Sequence, residues 1–137
     1  MTEALIVSIV TITLRAGASL LYATLGEIYT ERSGVLNLGV EGIMLVGAAT
    51  AFAVAYYGGS AWLGLGAALV VGALLSLIHA FLSVTLRAEQ VVSGLALTIF
   101  GIGLAAFMGQ RLGPGGTTMV GLQGPSFQRM AIPSPSS

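Results

Sequence analysis

The chain is 137 residues long, with 55% of its residues hydrophobic, only 7% charged, and five Arg balanced by five Glu. A soluble domain carries roughly a quarter charged residues, so this is a membrane composition; without Lys or net charge, nothing points to nucleic acid as a partner. Cysteine is absent, which removes disulfides, thiolate metal sites and thiol catalysis, and the lone His79 cannot build a metal site by itself.

Four apolar segments approach the ~20 residues that a helix needs to cross a ~30 Å hydrocarbon core. The first runs from about Ala4 to Leu25. It is preceded by Glu3 rather than a basic run and has no small-residue cleavage site, so it reads as a retained span. Arg15 stands near its middle, with three fates open to it: pairing with Glu27 or Glu41, snorkelling, or contact with helix ends.

The second segment, about Val35 to Tyr57, holds the most informative stretch, Glu31 to Ala48, ERSGVLNLGVEGIMLVGA. A carboxylate costs about 2.5 kcal/mol or more near the bilayer centre, so Glu41 is expected to face protein or a water-filled cavity. Gly34, Gly39, Gly42 and Gly47 weaken the helix around it, which predicts a glycine-broken second helix. In a helix Asn37 and Glu41, four residues apart, would lie one above the other. Two roles fit the pair: joint binding of a polar solute or proton, or hydrogen bonding to backbone groups freed by the break.

The third segment, about Ala61 to Val84, repeats small residues every fourth position at Gly64, Ala68, Gly72, Ser76 and Ala80, a face that lets another backbone approach closely. His79 and Ser83 share a face one turn apart, but no nucleophile elbow or third triad member accompanies them; an interhelical hydrogen bond is expected of His79. The fourth segment, about Val91 to Gln110, carries a shorter ladder, Gly101, Ala105 and Gly109. Gln90 and Ser93, at the mouth of this segment, are secondary site candidates, with capping of the helix start as the competing role of either.

The connections are Gly26 to Gly34, Gly58 to Ser60 and Thr85 to Gln90. Arg32 and Arg87 lie in the first and third, and positive-inside counting places those two in the cytoplasm and the N-terminus outside, with Arg111 and Arg129 also outside. Residues 1–110 thus form an all-α, polytopic membrane bundle, and 111–137 a Gly/Pro/Ser-rich extramembrane tail whose closing Ile132–Ser137 suits no helix interior. Gly113 to Gly116 lacks the Lys-Ser/Thr ending of a phosphate loop, and no ATP motif is visible.

The run Thr13 to Ala48, TLRAGASLLYATLGEIYTERSGVLNLGVEGIMLVGA, resembles the membrane-spanning permease subunits of bacterial ABC importers, in the broad group serving branched-chain amino acids, ribose-like sugars and nucleosides. With LRAEQVVSGLALTIFGIGL, Leu86 to Leu104, the wording looks most like the simple-sugar and nucleoside branch. Asn37, Gly39, Glu41 and Gly42 occupy the family's motif positions. The resemblance implies a multi-pass subunit of the bacterial inner membrane. It pairs with a second permease subunit, with ABC ATPase subunits that use the ATP and with an extracytoplasmic solute-binding protein, and binds no cofactor or metal of its own. Members of the family are longer, with a cytoplasmic coupling segment, so the chain is expected to be a truncated product or an N-terminal fragment. Two further readings fit the residues: a small four-helix proton-coupled transporter acting as a homodimer, and a permease fragment without transport activity.

Overall fold

The apolar runs, long and without period-2 alternation, form helices, as they must where no water can satisfy the backbone. A computed structural model describes residues 2–127. Four helices are long and apolar enough to span a membrane: α1 (Thr2–Arg32), α2 (Val40–Gly58), α3 (Ala61–Ala80) and α4 (Gln90–Arg111). No strand occurs among the described residues.

The boundaries correct the sequence reading at the first connection. The first helix continues through Gly26 to Arg32, because Ile28 and Tyr29 extend its apolar surface and no breaker intervenes before Gly34. Gly34, at φ +85, turns the chain, and residues 35–39 are not helical, so the break in the second segment falls ahead of Val40 rather than within the helix. Asn37 therefore does not stack on Glu41 one helical turn away. At the opposite end Gly59, in the left-handed conformation at φ +68, stops α2 and allows the tight turn into α3. The last turn of the third span widens into a π-helix, Phe81–Thr85, followed by Arg87 at φ +51.

α2 is the centre of the bundle: α3 packs on one side of it and α4 on another, whereas α3 and α4 scarcely touch each other. The core is Val46, Leu75 and Leu97, bordered by Ile43, Val71, Leu104 and Ala105. Small residues set the spacing. A Cβ on Gly64 would come within 2.5 Å of the Ala51 carbonyl oxygen, so α3 meets the α2 backbone there. On α4 the backbones meet at Gly101 and Gly42, where a Cβ on Gly101 would lie 2.5 Å from the Gly42 Cα. Gly72 is looser, with Ile43 Cγ2 3.7 Å from its missing Cβ; Ala68 and Ala80 are half-buried and Ser76 is exposed. α1 contributes nothing to the core, its apolar window being 0% buried.

After α4 the chain folds back beside α2. Met119 is buried and its amide donates to the Gly109 carbonyl at 2.8 Å; Trp62 packs edge-on against Phe127 with ring centroids 5.0 Å apart. Arg129 and Ile132–Ser137 lie outside the described residues.

Candidate functional site

A non-helical backbone at the head of a membrane helix exposes N–H and C=O groups that lipid cannot satisfy. Residues 34–39 solve this with side chains from all the other helices. From α4, Gln90 spans the segment: its Nε2 donates to the Gly34 carbonyl at 3.1 Å and its Oε1 accepts from the Leu36 amide at 2.7 Å. Thr98, two turns on, donates to the Leu38 carbonyl at 2.7 Å. From α1, Glu27 Oε1 accepts from the Asn37 amide at 2.8 Å while its Oε2 takes the Thr30 hydroxyl at 3.1 Å. Asn37 closes the strap on itself, Oδ1 accepting from the Gly39 amide at 3.0 Å as an Asx turn.

His79, on α3, supplies the remaining tie. It is 2% exposed, with Nε2 3.2 Å from the Leu36 carbonyl and Nδ1 3.1 Å from the Ser93 hydroxyl. A carbonyl only accepts, so in the neutral imidazole Nε2 carries the proton and donates, and Ser93 donates to Nδ1. Ser83 Oγ stands 3.5 Å from the same Nε2, at the limit of a hydrogen bond, and it is His79 that holds the strap. His79 thus makes the interhelical hydrogen bonds expected of it, and joins three elements.

Other placements differ from expectation. Gln90 and Ser93 do not cap α4, whose N-cap Glu89 makes no side-chain cap bond; they are spent on the strap and on His79. Glu41 lies in the first turn of α2, where a carboxylate complements the helix dipole, and its side chain is exposed. It lines a cleft of about 560 Å³ between α1 and α2, together with Leu20, Ala23, Thr24 and Glu27 on one side and Val40, Met44 and Leu45 on the other. Asn37 lines a smaller neighbouring cleft of about 170 Å³ that also reaches Ser76. Gly39 and Gly42 face α4: a Cβ on Gly39 would meet Leu97 Cδ2 at 2.8 Å, and one on Gly42 the Leu97 carbonyl oxygen at 2.6 Å. Arg15 does not reach Glu27, which lies twelve residues on along α1, about 18 Å away at 1.5 Å per residue.

The sequence offers Glu27 only as a partner for Arg15, and gives Thr98 no role. Glu27 was placed in a connection, and Thr98 is an ordinary residue of an apolar run; the only signal for either was the need of a glycine-flanked segment for acceptors and donors. Among the described residues no group of three or more His, Asp or Glu is placed to hold a metal ion.

Residues 8–131 match the family described as branched-chain amino acid transport system, permease component. A putative glucose ABC transporter permease protein of Haloferax volcanii is 50% identical over 97 residues, 71% of this chain and 30% of the relative. A guanosine ABC transporter permease protein of Bacillus subtilis is 42% identical over 73% of the chain and 33% of the relative. A nucleoside ABC transporter permease protein of Lactococcus lactis is 34% identical over 65% of the chain and 30% of the relative. The chain thus spans about a third of the length of the curated relatives it matches. No solved structure matches it.

Proposed function

Since the chain belongs to the permease-component family of branched-chain amino acid transport systems, and is a multi-pass membrane protein with four spanning helices, we propose that it forms part of the translocation path of an ATP-binding-cassette importer for a nucleoside, a simple sugar or a similar small polar solute. In this reading a second permease subunit completes the path, separate ATPase subunits hydrolyse ATP, an extracytoplasmic solute-binding protein delivers the solute, and the assembly sits in a bacterial cell membrane.

The observation that carries the reading is the strap at residues 34–39, unwound at the head of α2 and held open by side chains from α1, α3 and α4. Discontinuous helices bordering a cavity are a general transporter device, because they place backbone dipoles and side chains beside a solute without exposing them to lipid. Here the cleft beside the strap carries two carboxylates, Glu27 and Glu41. Glu27 is engaged with the Asn37 amide, which leaves Glu41 as the acceptor open to the hydroxyls of a sugar or ribose. The glucose, guanosine and nucleoside permeases among the relatives support a polyhydroxyl solute.

Uptake of labelled guanosine and glucose by cells carrying the complete transporter tests the proposal. Glu41→Gln keeps shape and hydrogen bonding while removing charge; Glu41→Ala removes both. Retained uptake with Gln and loss with Ala is the expected result. If both retain ATP-coupled uptake, Glu41 is not on the path, and uptake that ignores the ATPase but collapses with a protonophore would sink the importer reading in favour of proton coupling.

A further inference from the structure

The peptide unit that joins Leu36 to Asn37 is clamped at both ends. His79 Nε2–H donates to its carbonyl at 3.2 Å, and its N–H donates to Glu27 Oε1 at 2.8 Å. A peptide unit is planar, so its C=O and N–H turn together, and whatever frees the carbonyl also loosens the hold on Glu27. His79, on α3, thus acts on a carboxylate of α1 through one rigid group of the strap.

The Nε2 proton has a second oxygen within reach, the buried Ser83 hydroxyl at 3.5 Å. Because Nε2 carries the proton, Ser83 can only accept there, and it makes no other hydrogen bond among the described residues. While Leu36 holds the proton, Ser83 is left with a contact at the limit of a hydrogen bond. Were Ser83 to take it, the Leu36 carbonyl would be the one released. Each arrangement satisfies one acceptor at the expense of the other, a relation that sets up two discrete states. The rest of the ring is held in both, since Ser93 donates to Nδ1 at 3.1 Å and leaves the imidazole a pivot. Ser83 also stands on a segment with slack: it lies in the π-turn Phe81–Thr85, closed by the Leu86 amide on the Phe81 carbonyl at 3.1 Å, and Arg87 just beyond holds φ +51. A widened turn followed by a strained residue is backbone with another arrangement close in energy.

We propose that His79 is a latch with two positions: its Nε2–H passes from the Leu36 carbonyl to the Ser83 hydroxyl as the π-turn shifts, and the Leu36–Asn37 peptide is released from α3 and from Glu27. Ser83 is the positioning residue of the released state. Every group in the latch belongs to this chain and to contacts already made within it. On the solute reading of the cleft, the freed Glu27 carboxylate becomes a second acceptor in the space it shares with Glu41; the latch itself does not rest on that reading.

The test is hydrogen exchange of the Asn37 amide, read at single-residue resolution on the complete transporter in nanodiscs without solute, with the core amide of Val46 as the control for global loosening. Ser83→Ala removes the second acceptor and keeps the first, so the released state is rarer and Asn37 exchange should slow by about threefold or more while Val46 is unchanged. Ser83→Thr keeps the hydroxyl and should restore the original rate. His79→Phe keeps a ring but has no donor for either oxygen, and should speed Asn37 exchange by about tenfold. A Ser83 that merely braces α3 predicts the opposite sign. Asn37 exchange that is unchanged or faster in Ser83→Ala would overturn the latch, as would a rate indifferent to His79→Phe or a change that Val46 shares. Failure here leaves the uptake assay for Glu41 untouched, so the latch and the solute reading stand or fall separately.

Discussion

Replacing Gly42 by alanine should damage the bundle more than any other glycine-to-alanine change in α2. The new Cβ would lie 2.6 Å from the Leu97 carbonyl oxygen and 2.7 Å from Thr98 Cα, both on α4. Ordinary carbon contacts need about 3.5 Å and backbone cannot rotate away, so the two helices must part by about 1 Å. That displacement stretches the Thr98–Leu38 hydrogen bond from 2.7 Å past the limit at which such a bond survives. Overpacking costs about 1–3 kcal/mol, and a lost interhelical hydrogen bond about 1 more, for a total of about 2–4 kcal/mol. Gly47→Ala is the internal control: its Cβ meets nothing within 4 Å, and alanine's helix propensity makes the change neutral or stabilising by up to about 1 kcal/mol. Denaturant titration in mixed micelles, followed by circular dichroism, gives both values. The double variant Gly42→Ala with Gly101→Ala should cost less than the sum of the singles, since either substitution forces α2 and α4 apart at the same crossing. Equal stability of the Gly42→Ala and Gly47→Ala proteins would refute the packing argument.

Gln90→Ala leaves the Gly34 carbonyl and the Leu36 amide without their side-chain partner. It should cost about 1–3 kcal/mol and speed amide exchange at Leu36, and unchanged exchange would count against the strap. Ser93→Ala orphans His79 Nδ1 and is expected to destabilise by a similar amount, whereas Ser83→Ala, at the longer 3.5 Å contact, should cost less; the order of their unfolding midpoints decides. On this naturally cysteine-free chain, cysteines at Ser33 and Arg87 should label from one side of the membrane and one at Ser60 from the other. Labelling of all three from the same side would overturn the four-span topology.

Much of this architecture was legible because lipid imposes few choices. Span length, the absence of alternation and the four-residue repeat of small side chains led to the helices and to Gly64 and Gly101, where backbones do meet. What could not be read was the strap. Periodicity carried the second segment through Asn37 as helix, since apolar composition alone does not reveal that Gly34 adopts positive φ and that the next five residues stay unwound. The ligands of that strap come from distant points of the chain and are ordinary side chains, Glu27, Gln90 and Thr98, whose roles exist only once the helices are assembled. Local rules assigned Gln90 and Ser93 to helix capping, and the stronger demand of unpaired backbone elsewhere overrode them.

That arrangement also orders events during synthesis. The strap emerges from the ribosome with α2, yet the side chains that quiet it follow much later: His79 comes 43 residues after Leu36, Gln90 54 after Leu36 and 56 after Gly34, and Thr98 60 after Leu38. Of the strap's partners, Glu27, ten residues ahead of Asn37, and the Asn37 side chain itself are already in place. Until α4 arrives, the head of α2 is a polar wound that lipid rejects, and α1 and α2 cannot settle as a finished hairpin. Full pairing of the strap backbone is thus expected only once α4 has packed against α2, and the exchange rate of the Leu36 amide would report it.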